Sequence, residues 1–114
     1  MSQSQRLLLI APSAMARTPA FDRAAALALA MQFPLHIVAF DYSQALAVAG
    51  LFAPEQFKRA RDGYLQTHRQ WLVEQAGLMS KQGVEVTSEV VWVQHPYEEI
   101  LNFINEMPLM LIIK

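Results

Sequence analysis

The sequence predicts an α/β domain built on an open parallel sheet, and three features predict it. Short apolar runs of strand length recur along the 114 residues, segments with helical spacing lie between them, and proline or glycine marks most of the boundaries. Strands that alternate with helices form parallel sheets, because each helix carries the chain back to the start of the next strand. The predicted element order is βαβαβαβ.

The first strand and the first helix are separated by a short loop. Residues 7–11 are apolar, and Pro12 closes the strand because proline cannot donate to a sheet ladder. Thr18 is placed as the N-cap of a helix over residues 19–32, with a proline at the first helical position. This segment is rich in alanine, which favours helix and lies close against a sheet. Pro34 ends it.

The second strand and the second helix follow. Residues 35–40 are rich in β-branched and aromatic side chains, which favour strand, and residues 41–53 are interpreted as a partly helical connection. Residues 54–82 carry the most regular three-and-four spacing and predict a long helix that Gly83 closes. Such a helix is longer than a small sheet, so we expect a kink near Gly63 or an overhanging end.

The last elements are a strand, a helix and a strand. Residues 84–93 first alternate between apolar and polar side chains and then form a continuous apolar run, which indicates an outer strand. The sequence His95-Pro96 opens a third helix with acidic residues in its first turn, and Pro108 stops it. The apolar run Leu109–Ile113 is the fourth strand.

Right-handed crossovers restrict how these strands assemble. If strands one, two and three add in one direction, the third helix must return across the opposite face, and the strand order is 3-2-1-4. Residues 1–114 then form a single domain. Ligands of open α/β sheets bind beyond the carboxyl ends of the strands at the switch point. The predicted pocket rim is Ala11, Pro12 and Ser13 after strand one, with Phe40 and Asp41 at the end of strand two.

Composition excludes several classes of function. The formal net charge is −1, with nine lysines and arginines against ten acidic residues, so no basic field exists to bind nucleic acid. The absence of cysteine removes disulfides, thiol nucleophiles and thiolate metal sites. No signal peptide and no membrane-spanning run is readable, so we expect a cytoplasmic protein without a membrane partner.

Several segments resemble a universal stress protein domain. They are strand residues 7–10 and 35–38, the helix starts 19–24 and 95–100, the turn 82–84, and the tract Val90-Val91-Trp92. The resemblance covers nearly the whole chain and rests on element order and hydrophobic spacing. It is strongest to the first half of tandem, E-type members, which carry a similar tryptophan-containing strand and a lysine where Lys114 stands.

This resemblance implies a flavodoxin-like, adenine nucleotide alpha hydrolase-like domain of the bacterial stress response, truncated after strand four so that the last helix and strand are missing. Nucleotide-binding members hold ATP at the switch point. Here Ala11 stands in place of their adenine-contacting aspartate, Met110 replaces another common aspartate, and the glycine-rich phosphate loop would follow Lys114. We therefore expect no cofactor. The alternative is a nucleotide-binding switch whose phosphate loop comes from further sequence or from a partner.

Each residue that is a candidate for catalysis or ligand binding also has a structural interpretation. His68 lies on the apolar stripe of the second helix, which favours a packed histidine over a ligand or base. His36 lies in a strand whose side chains alternate between the two faces, and its position is equally compatible with a side chain that points to solvent. His95 lies at the carboxyl end of a strand, where loop residues often act, yet helix capping explains it. Asp41 is interpreted as a solvated acid at a strand end in preference to a residue that contacts a ligand. Ser13 lacks the context of a nucleophile elbow.

No enzyme or metal constellation emerges, and three functions remain open: a non-catalytic stress protein domain that acts by association, a nucleotide-binding switch, and a flavodoxin-type carrier. The loop after Pro12 is poor in phosphate donors, which disfavours the carrier. The leading hypothesis is a homodimer or larger assembly. We expect it to bury the apolar edge strand Leu109, Met110, Leu111, Ile112 and Ile113.

Overall fold

A computed structural model describes residues 6–12, 15–41, 53–93, 96–106 and 109–113. The strands are β1 (Arg6–Ala11), β2 (Leu35–Asp41), β3 (Val86–Trp92) and β4 (Leu109–Ile113). The helices are α1 (Pro19–Met31), α2 (Pro54–Ser80) and α3 (Pro96–Asn105). Strands and helices alternate as predicted. The expected connection over residues 41–53 falls largely outside the described residues.

The four strands form one parallel sheet in the order β3-β2-β1-β4, which confirms the predicted topology. The two outer strands of the described sheet are therefore β3 and β4. Leu7 of β1 lies opposite Leu35 of β2 and Leu111 of β4, and Leu35 lies opposite Val86 of β3. Because side chains alternate along a strand, these registers assign each strand residue to one face of the sheet.

One face of the sheet packs against α1 and α2. The helix side chains buried there include Phe21, Ala24 and Ala28 of α1 with Leu72 and Met79 of α2. Small side chains let α1 approach the strands closely, as its alanine content predicted. The strand side chains of this core are Leu7, Leu9, Ala11, Leu35, Ile37, Ala39 and Ile113.

The other face carries α3. The Phe40 ring of β2 meets the Phe103 ring of α3 edge to face, with ring centroids 5.3 Å apart. Leu8 and Val38 on this face are also fully buried. The sheet therefore has helices on both sides, as the crossover argument requires.

The capping and the bounds of the helices differ in part from those predicted. Thr18 occupies the N-cap position of α1, but its side chain makes no capping hydrogen bond. At the other end, Gln32 adopts the left-handed conformation that glycine usually supplies (φ 57°). α2 ends at Ser80, earlier than predicted, because the chain tightens there: the N–H of Gly83 donates to the Ser80 carbonyl at 3.0 Å. Gly83 has φ 98°, and β3 starts only at Val86.

α2 is a single α-helix of 27 residues, about 40 Å long at 1.5 Å per residue. A strand of seven residues spans only about 23 Å, so α2 extends beyond the sheet. Gly63 lies inside the helix, and the Thr67 hydroxyl donates to its carbonyl at 3.0 Å. Within the described ranges, no helix is both long and apolar enough to cross a bilayer.

Candidate functional site

The candidate site lies at the carboxyl end of β2, where Asp41 is the last strand residue. Strand alternation puts its side chain on the face of Ile37 and Ala39, under α1 and α2. Asp41 is 0% exposed to solvent. The expectation of a solvated strand-end acid is therefore wrong. The side chain follows the apolar alternation of β2 into the core instead of turning outward.

His68 of α2 is the partner of this buried carboxyl group. Its Nδ1 lies 2.9 Å from Asp41 Oδ2 and 3.0 Å from Oδ1, and the histidine is also 0% exposed. An ionised carboxylate only accepts hydrogen bonds, so the ring donates through Nδ1–H. The prediction that His68 is a packed histidine on the apolar stripe is confirmed, and the pairing connects α2 to the end of β2.

Aromatic rings enclose the imidazole. The ring centroids of Tyr64 and Trp71 each lie 6.2 Å from that of His68, one on either side along α2. Trp71 in turn meets Phe21 of α1 edge to face at 5.8 Å. This places Trp71 in the packing between the helices. The Asp41–His68 pair is thus held in a largely apolar setting, where electrostatic interactions are strong.

One atom of the pair has no partner. His68 Nε2 is buried and makes no hydrogen bond to any described residue. Buried polar atoms are paired in the great majority of cases, and an exception calls for a water or ligand that satisfies it. A carboxylate that orients an imidazole is also the basic arrangement of acid–base chemistry. The described residues contain no cluster of three or more His, Cys, Asp or Glu side chains for a metal ion.

The pair also affects the titration of its neighbours. Burial raises the pKa of Asp41 above its ordinary value of 3.8, while the hydrogen bond and the charge of His68 oppose that rise. The pKa of Tyr64 is raised above 10.0, first by desolvation and then by the negative charge of Asp41. A negative field from Asp41 therefore reaches the more exposed Tyr64.

The structure separates the predicted pocket-rim residues. Ala11 and Pro12 line a cavity of about 380 Å³ beyond β1, with the start of α1 as its other wall. This volume lies within the range of small-molecule sites. Phe40 packs on the opposite face against α3, Asp41 lies beneath α2, and Ser13 lies outside the described residues. The cavity lining is Ile10, Ala11, Pro12, Thr18, Pro19, Ala20 and Arg23.

Sequence reasoning identified both members of the pair but did not bring them together. In the sequence, Asp41 stands out for its place at a strand end and His68 for its place on a helical stripe, and neither pattern shows that the two side chains meet. The sequence left open which way the His36 side chain points. It is buried, since the residue is 5% exposed and hydrogen-bonds to side chains of β3. His95 lies outside the described residues.

Solved structures resemble this fold. No family model matches the sequence, and no curated protein matches it closely enough to count as a relative. A universal stress protein from Archaeoglobus fulgidus superposes with a TM-score of 0.67 at 14% identity, over 97% of this chain and 75% of that chain. A protein from the universal stress protein family of Burkholderia pseudomallei gives 0.54 at 16% identity, over 93% and 94%. The chain therefore has the flavodoxin-like α/β fold of universal stress proteins.

Breaking the buried pair should destabilise the protein strongly. His68→Leu leaves the Asp41 carboxylate without its partner, and we expect a loss of about 3 to 5 kcal/mol in unfolding free energy. Urea unfolding followed by circular dichroism measures it. The double variant Asp41→Leu/His68→Leu buries no charge and should recover part of the loss. A single variant within about 0.5 kcal/mol of wild type, the level of ordinary surface substitutions, would contradict the pairing.

The influence of Asp41 on Tyr64 predicts a titration shift. Asp41→Asn removes the negative charge, so the pKa of Tyr64 should fall toward 10.0, although desolvation keeps it from reaching that value. Ultraviolet absorbance of tyrosinate follows the titration, and Tyr64→Phe identifies the contribution of this residue among the three tyrosines. An unchanged or higher Tyr64 pKa in Asp41→Asn would show that the carboxylate lies farther away than described.

Proposed function

We propose that the chain is a universal stress protein domain of the bacterial stress response that acts by associating with a second copy, without catalysing a reaction at the crevice. Support for the family comes from the likeness of this fold to two solved structures of universal stress proteins. Support for association comes from a single observation: β4 is an edge strand of the described sheet and consists of the wholly apolar sequence Leu-Met-Leu-Ile-Ile.

The two edges of the sheet differ in a way that favours β4 as the contact. β3 presents Thr87, Ser88 and Glu89, and polar or charged residues of this kind protect an edge strand from pairing. β4 has no such residue between Leu109 and Ile113. An apolar edge with free backbone groups is a template for strand pairing.

Further exposed apolar side chains lie on β4 and on α3, on the same side of the sheet. Register places Ile112 opposite Leu8, on the face that α3 covers, yet Ile112 is 41% exposed. On α3 itself, Tyr97 is 80% exposed and Leu101 is 46% exposed. Burying an aliphatic side chain of this size contributes about 1.5 to 3 kcal/mol, so several together favour a stable dimer.

Sedimentation at low micromolar concentration tests the proposal. The wild-type chain should sediment as a dimer or larger species. Ile112→Asp places a charge on the contact and should shift the population to monomer, because an unpaired charge is costly to bury.

The matched control is Val73→Asp, which charges an equally apolar and more exposed position on the outer side of α2. It should leave the sedimentation coefficient of the assembly unchanged. A monodisperse wild-type monomer, or an Ile112→Asp variant that still associates like wild type, would overturn the proposal.

The cavity beyond β1 supports the alternative, a nucleotide-binding switch. The start of α1 borders it, with Thr18 and Arg23 among its lining residues. Helix N-termini and guanidinium groups suit phosphate, but the phosphate loop itself has to come from further sequence or from a partner. Saturable binding of ATP at micromolar concentration in a calorimetric titration would favour the switch over the non-binding domain.

A further inference from the structure

A second polar cluster lies on the opposite face of β2, at the edge formed by β3. The His36 ring makes two short hydrogen bonds across the strands: Nδ1 lies 2.6 Å from the Thr87 hydroxyl, and Nε2 lies 2.7 Å from Glu89 Oε2. Thr87 and Glu89 are two residues apart on β3, so both side chains project on the same face, and His36 lies directly opposite Thr87 in the register.

The three groups differ in exposure. The His36 side chain is only 7% exposed, whereas that of Glu89 is 44% exposed. Thr87 is exposed. The imidazole is therefore shielded from solvent, whereas the threonine that it contacts is a surface residue that a small molecule can reach.

The hydrogen bonds fix the direction of proton movement. A carboxylate cannot donate, so Nε2 carries a proton that it donates to Glu89. In the neutral ring, Nδ1 then has a free lone pair and accepts the hydrogen bond of the Thr87 hydroxyl. A hydroxyl bonded to a base that a third group orients is the general arrangement of an activated nucleophile.

We propose that Thr87 is a nucleophilic modification site that accepts an acyl group from activated esters, with His36 as its general base and Glu89 as the positioning residue of the imidazole. This proposal does not depend on self-association, because β3 and β4 lie at opposite edges of the sheet. It describes one covalent transfer to the protein rather than turnover.

The transfer balances without any further reagent. Thr87 Oγ1 forms a bond to the carbonyl carbon of the ester while its proton moves to His36 Nδ1. The bond between that carbon and the leaving oxygen then breaks, and the leaving group takes the proton from Nδ1. The products are a threonine ester and the released alcohol, and the ring returns to its neutral form with Nε2–H still donating to Glu89.

In the proposed step, a backbone N–H at the strand edge stabilises the oxygen that becomes negative. Glu85 O accepts from Leu35 N at 2.8 Å, and Val93 N donates to Asp41 O at 2.9 Å. Backbone N–H and C=O groups of successive residues point to opposite sides of a strand. The backbone groups of the odd-numbered residues of β3 therefore point to β2, and the N–H of Ser88 points to the open edge of the described sheet. The N–H of the residue after the nucleophile serves this role in other acyl-transfer sites.

The experiment uses p-nitrophenyl acetate as the acyl donor at neutral pH. Peptide mass spectrometry at early times locates each added acetyl group, so acetylation of lysines and of the N-terminus is counted separately. Thr67 is the internal control, because its exposed hydroxyl donates to the Gly63 carbonyl, while the ring of the neighbouring residue His68 is fully buried and bonds Asp41 instead. We expect acetylation of Thr87 to exceed that of Thr67 by about 100-fold or more, the usual effect of a general base.

Variants separate activation from simple cross-strand bonding. His36→Gln should remove the excess at Thr87, Glu89→Gln should reduce it, and Thr87→Ser should retain it because a hydroxyl is preserved. Circular dichroism verifies folding, and if His36→Gln does not fold, the surface variant Glu89→Gln decides. Equal acetylation of Thr87 and Thr67, or an excess at Thr87 that Glu89→Gln leaves unchanged, would overturn the proposal and leave a purely structural cluster.

Discussion

Burial of β2 on both of its faces is the constraint on which the rest of the structure depends. Ile37 and Ala39 pack under α1 and α2, Val38 lies on the other face, and all three are fully buried. A polar side chain on such a strand has no access to bulk water and must find a partner in the protein. Asp41 finds His68 of α2 on one face, and His36 finds Thr87 and Glu89 of β3 on the other.

These two polar clusters explain how the elements around β2 are held. The Asp41–His68 bond joins a helix to the sheet at a point where α2 has few buried residues, and the aromatic rings of Tyr64 and Trp71 complete its surroundings. The His36 cluster joins β2 to the edge strand β3 through side chains in addition to the parallel ladder. Both sets of interactions give chemical groups a fixed geometry, and fixed geometry is what a binding or reactive site requires.

The sequence predicted the architecture well because the architecture depends on periodic patterns. Apolar runs, helical spacing and proline or glycine at the boundaries identify the elements, and the handedness of crossovers orders the strands. The polar pairs were not predicted, because their members are far apart in the chain: 27 residues separate Asp41 from His68, and 51 separate His36 from Thr87. In the sequence, Asp41 is simply the residue at the end of a strand. Only its burial and its bond to His68 show that its side chain points inward.

The nitrogen-15 NMR spectrum of the histidine rings tests the buried Asp41–His68 pair, since it reports which ring nitrogen carries a proton and how fast that proton exchanges. We expect His68 to carry a proton on Nδ1 that exchanges slowly with water, and we expect the exchange to become faster in Asp41→Asn, where a neutral amide replaces the carboxylate. A His68 ring whose protons exchange as fast as those of free imidazole, with no response to Asp41→Asn, would contradict the buried pair.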